Sequence, residues 1–385
     1  MNVDVAIIGG GLAGASLAAA LNGSRFRIAL VEGRAPAAPK PEWDSRIYAL
    51  SPANQRFLDA IGAWEHLDRS RVTPVYDMEI FGDRGGRLDF SAYGAGVDQL
   101  AWIVESGLIH RELWETVKRQ PNLTLLCPDQ PRALHFDGDA ASLTLESGRK
   151  VSAKLVVAAD GVDSWVRQRS GIQADVRPYG EMGVVANFAC QRSHHNTAFQ
   201  WFSECGVLAY LPLAGDAISV VWSLPESEAS GLMALPRDVL CERVAAAADH
   251  RLGSLRLLAP PAAFPLRLMR VARTIGGRVA LIGDAAHAIH PLSGHGINLG
   301  FQDAQALARV LREIPDYRDV GLERELRPFE RARAEEVLAL QTVTHALNLL
   351  FRPRTDALAL LRNVGLNLTN RLPVVRNMLL RYALG

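Results

Sequence analysis

Residues 9–14 read Gly-Gly-Gly-Leu-Ala-Gly, with glycines at positions 9, 11 and 14. The segment before it, Val3-Asp4-Val5-Ala6-Ile7-Ile8, has the apolar content of a buried strand, and the alanine-rich run Ala15 to Leu21 reads as a helix. Glycines at this spacing between a strand and a helix permit a tight turn and let a pyrophosphate approach the backbone at the helix N-terminus. Arg27-Ile28-Ala29-Leu30-Val31 reads as the next strand and ends at Glu32, where a carboxylate would meet a ribose hydroxyl. The joint pattern predicts a dinucleotide site in a Rossmann-like unit. The acidic residue favours FAD or NAD(H) over NADP(H).

A second strand-to-helix turn lies at the far end of the chain. Arg278 to Ile282 reads as a buried strand and Phe301 to Leu311 as a helix, and between them run Gly283-Asp284-Ala285-Ala286-His287, His290-Pro291 and Gly294-His295-Gly296-Ile297-Asn298. Three glycines, a proline and an asparagine in so short a connection suit a backbone lying against something flat or anionic. Between these ends, residues 123–159 read as short strands, the last of which delivers Asp160-Gly161. On its own that dipeptide is a turn. From Gly183 to Leu224 the pattern becomes one of alternating strands, predicting an antiparallel sheet. Residues 225–263 read as helical or irregular, and 73–97 as a hairpin excursion.

With 42 basic and 41 acidic side chains the net charge is +1, so no global field draws the chain to nucleic acid. Cys127, Cys190, Cys205 and Cys241 lack the spacing of a metal knuckle or a redox pair and read as reduced structural thiols. His287, His290 and His295 invite a metal, but without cysteine or compact H-x-x-x-H spacing no metal site is predicted. The strand-like N-terminus leaves no room for a signal peptide, and no apolar run reaches the ~18 residues of a membrane span. A cytoplasmic protein, at most peripheral at the inner face of a membrane, is expected.

Taken together, the three motifs resemble those of the class A flavoprotein aromatic hydroxylases: Gly9, Gly11, Gly14 and Glu32 match the first FAD motif, Asp160-Gly161 the second, and Gly283-Asp284 the third. Within that class the chain is similar to the ubiquinone-biosynthesis hydroxylases, whose signature H-P-x-[AG]-G-Q-G-x-N-x-G-x-x-D is met from His290 to Asp303 with Ser293 and His295 as departures. Phe264-Pro265-Leu266, His195 to Ala198 and the tail from Leu350 to Gly385 extend the likeness over essentially the whole chain. A further departure is Val104-Glu105-Ser106-Gly107, where these hydroxylases commonly carry Glu-Asn-Arg.

The resemblance implies bound FAD, with NAD(P)H and O2 as co-substrates, and hydroxylation of a polyprenyl phenol or quinol through a C4a-hydroperoxyflavin. It assigns Asp284 to the ribityl chain, Gly294, His295 and Gly296 to the flavin edge, and Pro291 to the ring face, with no side-chain nucleophile. Gly283 and Asn298 join the cofactor set. Arg46 stands either to clamp phosphate or flank the flavin, or to be solvated, and Arg111 either faces the FAD phosphates or solvent. Tyr48, Trp201, Phe202 and Tyr210 are aromatic candidates for substrate contact or for the core. His295 in place of Gln either tunes the flavin or is a tolerated loop substitution.

The expected fold is α/β: a discontinuous Rossmann-like FAD-binding domain (1–72, 98–172, 272–320), an antiparallel-sheet substrate domain (73–97, 173–271) and a C-terminal helical region (321–385). From Phe351 that region carries arginines at 352, 354, 362, 371, 376 and 381 against the single acid Asp356. Such a tail either lies on an anionic membrane or docks a quinone-synthesis complex, or packs as a helical cap. Two rival functions stand beside the first: a hydroxylase of a small soluble phenol, and a non-catalytic FAD-containing subunit of such a complex.

Overall fold

A computed structural model of the protein describes residues 1–38, 40–203, 206–289 and 296–351, with Asn363, Asn367 and Asn370 from the tail. Pro291, Gly294 and His295 lie outside the described residues, as does most of the arginine-bearing tail.

Its first layer is an eight-stranded sheet whose path runs through strands Ile275–Gly276, Val279–Leu281, Lys150–Ala158, Asn2–Ile8, Ile28–Val31 and Leu123–Leu126. The central pairings are parallel, with Val5 opposite both Leu155 and Ile28. Ile28–Val31 is buried at every residue, as a parallel strand covered on both faces must be. One face packs under helices Leu12–Ala20, Ser106–Lys118 and Gly296–Glu313, and the other under the antiparallel strands Pro131–Asp137 and Ala140–Leu145.

The second layer is a nine-stranded sheet built on Ala174–Cys190, Thr197–Ser203, Gly206–Leu213 and Ala217–Pro225. The 73–97 excursion joins it: Asp77–Phe81 pairs parallel with Thr197–Ser203, the exception in an otherwise antiparallel sheet, and Arg87–Ser91 forms the edge. Strand Ala262–Val271, opposite Ala174–Cys190, begins inside the stretch expected to be helical or irregular. Its Pro265 disguises the strand and sits where the register shifts, between Pro178 and Met182 of the partner. That stretch also holds helices Glu226–Met233 and Arg237–Ala247, covering one face of the sheet, and a further short strand the expectation missed, Leu255–Leu257, paired with Phe188 to Cys190. A three-stranded sheet of Ile47–Leu50, Thr73–Val75 and Ala101–Glu105 faces the other side.

The long helix Glu323–Phe351 packs against helix Gly296–Glu313. Among the described residues, no helix is long and apolar enough to cross a membrane. Asn367 and Asn370 of the tail accept the Arg87 and Asp89 amides at 2.9 and 3.1 Å. These side chains cap N–H groups that an edge strand leaves unpaired.

Candidate active site

Chain reversal at residues 9–14 depends on glycine at two positions. Gly9 has φ +99°, and a Cβ on it would collide with the Ala159 backbone; a Cβ on Gly14 would collide with the Gly9 carbonyl. Gly11 differs, because a Cβ there would meet nothing within 4 Å. It is the N-cap of helix Leu12–Ala20, which carries no side-chain cap and no acidic residue in its first turn. Among the described residues the first amides of this helix have no side-chain cap and the space beside Gly11 is open, an arrangement that fits a pyrophosphate. Glu32 accepts the Gly10 N–H at 2.6 Å and the Arg34 N–H at 3.0 Å, which places its carboxylate beside the loop. His110 Nε2 donates to the Gly10 carbonyl at 2.8 Å. Arg111, next on that helix, is half-buried with its guanidinium 3.8 Å from Glu112.

The second and third motifs are brought to the first by packing and by one buried cation. Asp160 accepts from Ser164 Oγ at 2.5 Å and from the Val166 N–H at 3.0 Å, so its carboxylate organises the start of helix Trp165–Arg169. Arg167 then donates to the carbonyls of Val162 and Ala285, both at 2.8 Å, tying the turn after Asp160-Gly161 to the turn after Gly283-Asp284. Burial pulls its guanidinium below the usual arginine range. Gly283, at φ +58°, and Gly300 both lie against Ala13 of the first motif, where a Cβ on either would come within 3.5 Å.

Asp284 keeps contact with solvent, yet the protein packed around it pushes its carboxyl above the usual range; His287 and Arg46 reduce the shift and Asp303 adds to it. Tyr48 lies in the same electrostatic neighbourhood: burial raises its phenol, Ser106 and Arg46 oppose, and Asp284 and Asp44 reinforce. Arg46 and Tyr48, two residues apart, thus lie within electrostatic reach of Asp284 from the far end of the chain. Gly296 begins the helix Gly296–Glu313, whose first turn has no acid. Asn298 is engaged by the chain itself: its Oδ1 accepts from the Ser51 N–H and from Asn54 Nδ2, and its Nδ2 donates to the Ala49 carbonyl. It braces the segment after Tyr48.

Two aromatic candidates are not at this convergence. Trp201 stacks on Phe81 and meets Tyr210 edge-on, and the Tyr210 hydroxyl donates to the Val244 carbonyl at 2.7 Å. Both belong to the core beneath the helices Glu226–Met233 and Arg237–Ala247. Phe202 alternates to the opposite face and is buried.

A glycine turn of the pyrophosphate-binding type, a carboxylate at the end of the second strand and two further loops tied to that turn define a FAD-binding oxidoreductase of the class A hydroxylase type. The chain belongs to the family described as "FAD binding domain", whose pattern matches residues 2–337, and it is an FAD-dependent monooxygenase. It is 34% identical to the ubiquinone hydroxylase UbiL of Rhodospirillum rubrum, covering 99% of this chain and 89% of that one. It is 31% identical to the 3-demethoxyubiquinol 3-hydroxylase of Escherichia coli, covering 99% and 98%. Among solved structures, Pseudomonas aeruginosa PqsL in complex with 2-aminobenzoylacetate superposes with a TM-score of 0.79 at 26% identity, covering 95% of this chain and 99% of that one.

Proposed function

We propose that the protein hydroxylates a ring carbon of a polyprenyl phenol or quinol on the route to ubiquinone. The observation that carries this reading is end-to-end similarity, over 99% of this chain, to enzymes named as ubiquinone hydroxylases. Bound FAD, reduced by NAD(P)H, supplies oxygen activation and the transfer of one oxygen atom.

This chain's own residues bind, orient and stabilise charge. Amides at the start of helix Leu12–Ala20, with the Arg46 and Arg111 guanidiniums, would hold the pyrophosphate of FAD. Glu32 would hold the ribose hydroxyls, and Asp160-Gly161 and Gly283-Asp284 the ribityl chain. Amides from Gly296 onward would stabilise negative charge on the flavin. The electrostatic proximity of Tyr48 to Arg46 and Asp284 supports Tyr48 as the aromatic candidate for substrate contact. A lipophilic substrate needs a route from the bilayer, which the arginine-rich tail provides by resting on an anionic surface.

Complementation of strains lacking individual ubiquinone hydroxylases, with quinone intermediates read by mass, tests the function. Restored ubiquinone in one deletion identifies the ring position, and failure in all of them refutes the reading. A second reading, a small soluble aromatic substrate, draws on the PqsL complex with 2-aminobenzoylacetate. It predicts substrate-stimulated NAD(P)H oxidation with soluble phenols, whereas a non-catalytic subunit binds FAD and gives no stimulation with any phenol. Peripheral attachment predicts co-sedimentation with anionic liposomes that weakens as salt rises; no co-sedimentation at low salt counts against it.

A further inference from the structure

Asp303 lies two turns into helix Gly296–Glu313 and is buried, with 2% of its side chain exposed. One carboxylate oxygen accepts the Gly283 N–H at 2.9 Å and pairs with His287 Nε2 at 2.6 Å; the other accepts Arg333 Nε at 2.7 Å. His287 and Arg333 are themselves only 5% and 6% exposed. Arg333 comes from the long helix Glu323–Phe351, and its remaining nitrogens reach Gln302 and Glu336. About two turns further along that helix, Gln341 Nε2 donates to the carbonyls of Met269 and Ala288 at 2.9 and 3.4 Å. Arg270 Nε donates to Gln341 Oε1 at 3.0 Å, fixing the orientation of the amide.

We propose that Arg333 and Gln341 are positioning residues of the FAD site, through which the C-terminal helix sets where the Gly283–Asp284 turn lies. Packing alone does not account for a carboxylate in this place, because apolar residues of similar size fill a buried volume at lower cost. The Gly283 N–H and Arg333 Nε–H are donors on opposite oxygens, and the ionised carboxylate is the form that accepts both most strongly. Burial pushes its carboxyl up, and His287 and Arg333 more than offset this, holding it below the usual range. The cation on the C-terminal helix therefore preserves the acceptor that orients the Gly283 amide, one residue from Asp284. Gln341 holds the other end of the same segment at Ala288. FAD binding, given by family membership, is the premise; the substrate has no part in it.

The test compares Arg333→Met, Arg333→Lys and Gln341→Leu, measuring the FAD dissociation constant and the flavin absorption band at a temperature where circular dichroism shows each variant folded. Arg333→Met is expected to weaken FAD binding by about 30-fold or more and to shift the band, because it strands a buried carboxylate against the motif. Arg333→Lys restores the charge and should return both readouts close to those of the parent. An Arg333→Met protein that loses thermal stability but keeps its FAD affinity and band would reduce the network to structural glue and overturn the proposal. If Arg333→Met does not fold, Gln341→Leu, which leaves every charge in place, decides: about tenfold weaker FAD binding supports the proposal, and unchanged affinity overturns it.

Discussion

Gly11 and Gly14, three positions apart in one motif, should fail in opposite ways when each becomes alanine. At Gly11 the backbone has φ −65° and ψ −172°, which alanine adopts freely, and the added methyl meets no protein atom within 4 Å. Replacing glycine by alanine at an N-cap costs less than about 1 kcal/mol, and the lower entropy of the unfolded chain offsets part of that. Apoprotein stability should therefore change by less than about 1 kcal/mol. The methyl projects into the space facing the uncapped amides, so a pyrophosphate moved away loses hydrogen bonds to a charged group worth about 1.5–3 kcal/mol each. FAD affinity should fall by roughly 10- to 150-fold. At Gly14 the methyl runs into the Gly9 carbonyl, a backbone atom fixed by the turn. That clash should exceed the ~1 kcal/mol alanine gains in a helix and destabilise the apoprotein itself by about 2–4 kcal/mol. Urea unfolding of apoproteins and fluorescence titration with FAD separate the two effects. A Gly11→Ala protein that binds FAD like the parent would refute the placement of the phosphates, and a fully stable Gly14→Ala apoprotein would refute the close approach.

Other expectations follow from the charged groups. Glu105 is buried and accepts Arg71 Nε and Nη2 at 2.6 and 2.7 Å, so Arg71→Met should cost about 3 kcal/mol in chemical denaturation, with partial recovery when Glu105→Gln is added. Asp284 has a folded-state carboxyl raised above its unfolded value, so its ionisation opposes folding at neutral pH; Asp284→Asn should stabilise the apoprotein there while weakening FAD binding. The opposite sign applies to Asp303 and Asp319, whose carboxyls are depressed in the folded state despite burial, Asp319 by Arg278 at 2.6 Å. Their contribution is present above the ordinary carboxylate pKa of about 4 and is lost as pH falls through the lower folded values, so a urea midpoint followed against pH should drop below about pH 4. Asp319→Asn should flatten that drop.

Legibility in the sequence followed the periodicity of burial. Strands buried on both faces, such as Ile28–Val31, announced themselves as apolar runs, and the glycine turns beside them announced the dinucleotide site. The first half of Ala174–Cys190 did not, because residues 175–178 are exposed and carry no alternation toward a core. Trp201 and Tyr210 could not be assigned to a face, because both sides of their sheet are covered and the parity of a strand does not say which cover is the helical one. Arg167 was legible only as a charge after Asp160-Gly161; its bonds to Val162 and Ala285 span 5 and 118 residues, and local pattern cannot register the second. The link between Asp303 and Arg333 was hidden in the same way, two charges on separate helices that a sequence reads as solvated faces.

The departure at Val104 to Gly107 acquires a physical meaning from what Glu105 does. Its carboxylate takes Arg71 and the Asp44 N–H, while Asp44 in turn accepts the Gly107 and Arg46 N–H groups at 2.9 and 3.0 Å. Arg71 also donates to the carbonyls of Pro41 and Glu42. Segment 41–46 is thus pinned along its backbone by groups already engaged with the chain. Among the described residues no acceptor is hydrogen-bonded to the exposed Arg46 guanidinium, although it stands within electrostatic reach of Asp284 and Tyr48. A cation held by its backbone and left without a bonded partner at its tip can meet an incoming phosphate without first breaking an ion pair, which Arg71 could not do. The consumed arginine and the available one are therefore parts of one arrangement, in which Glu105 fixes the loop that carries Arg46.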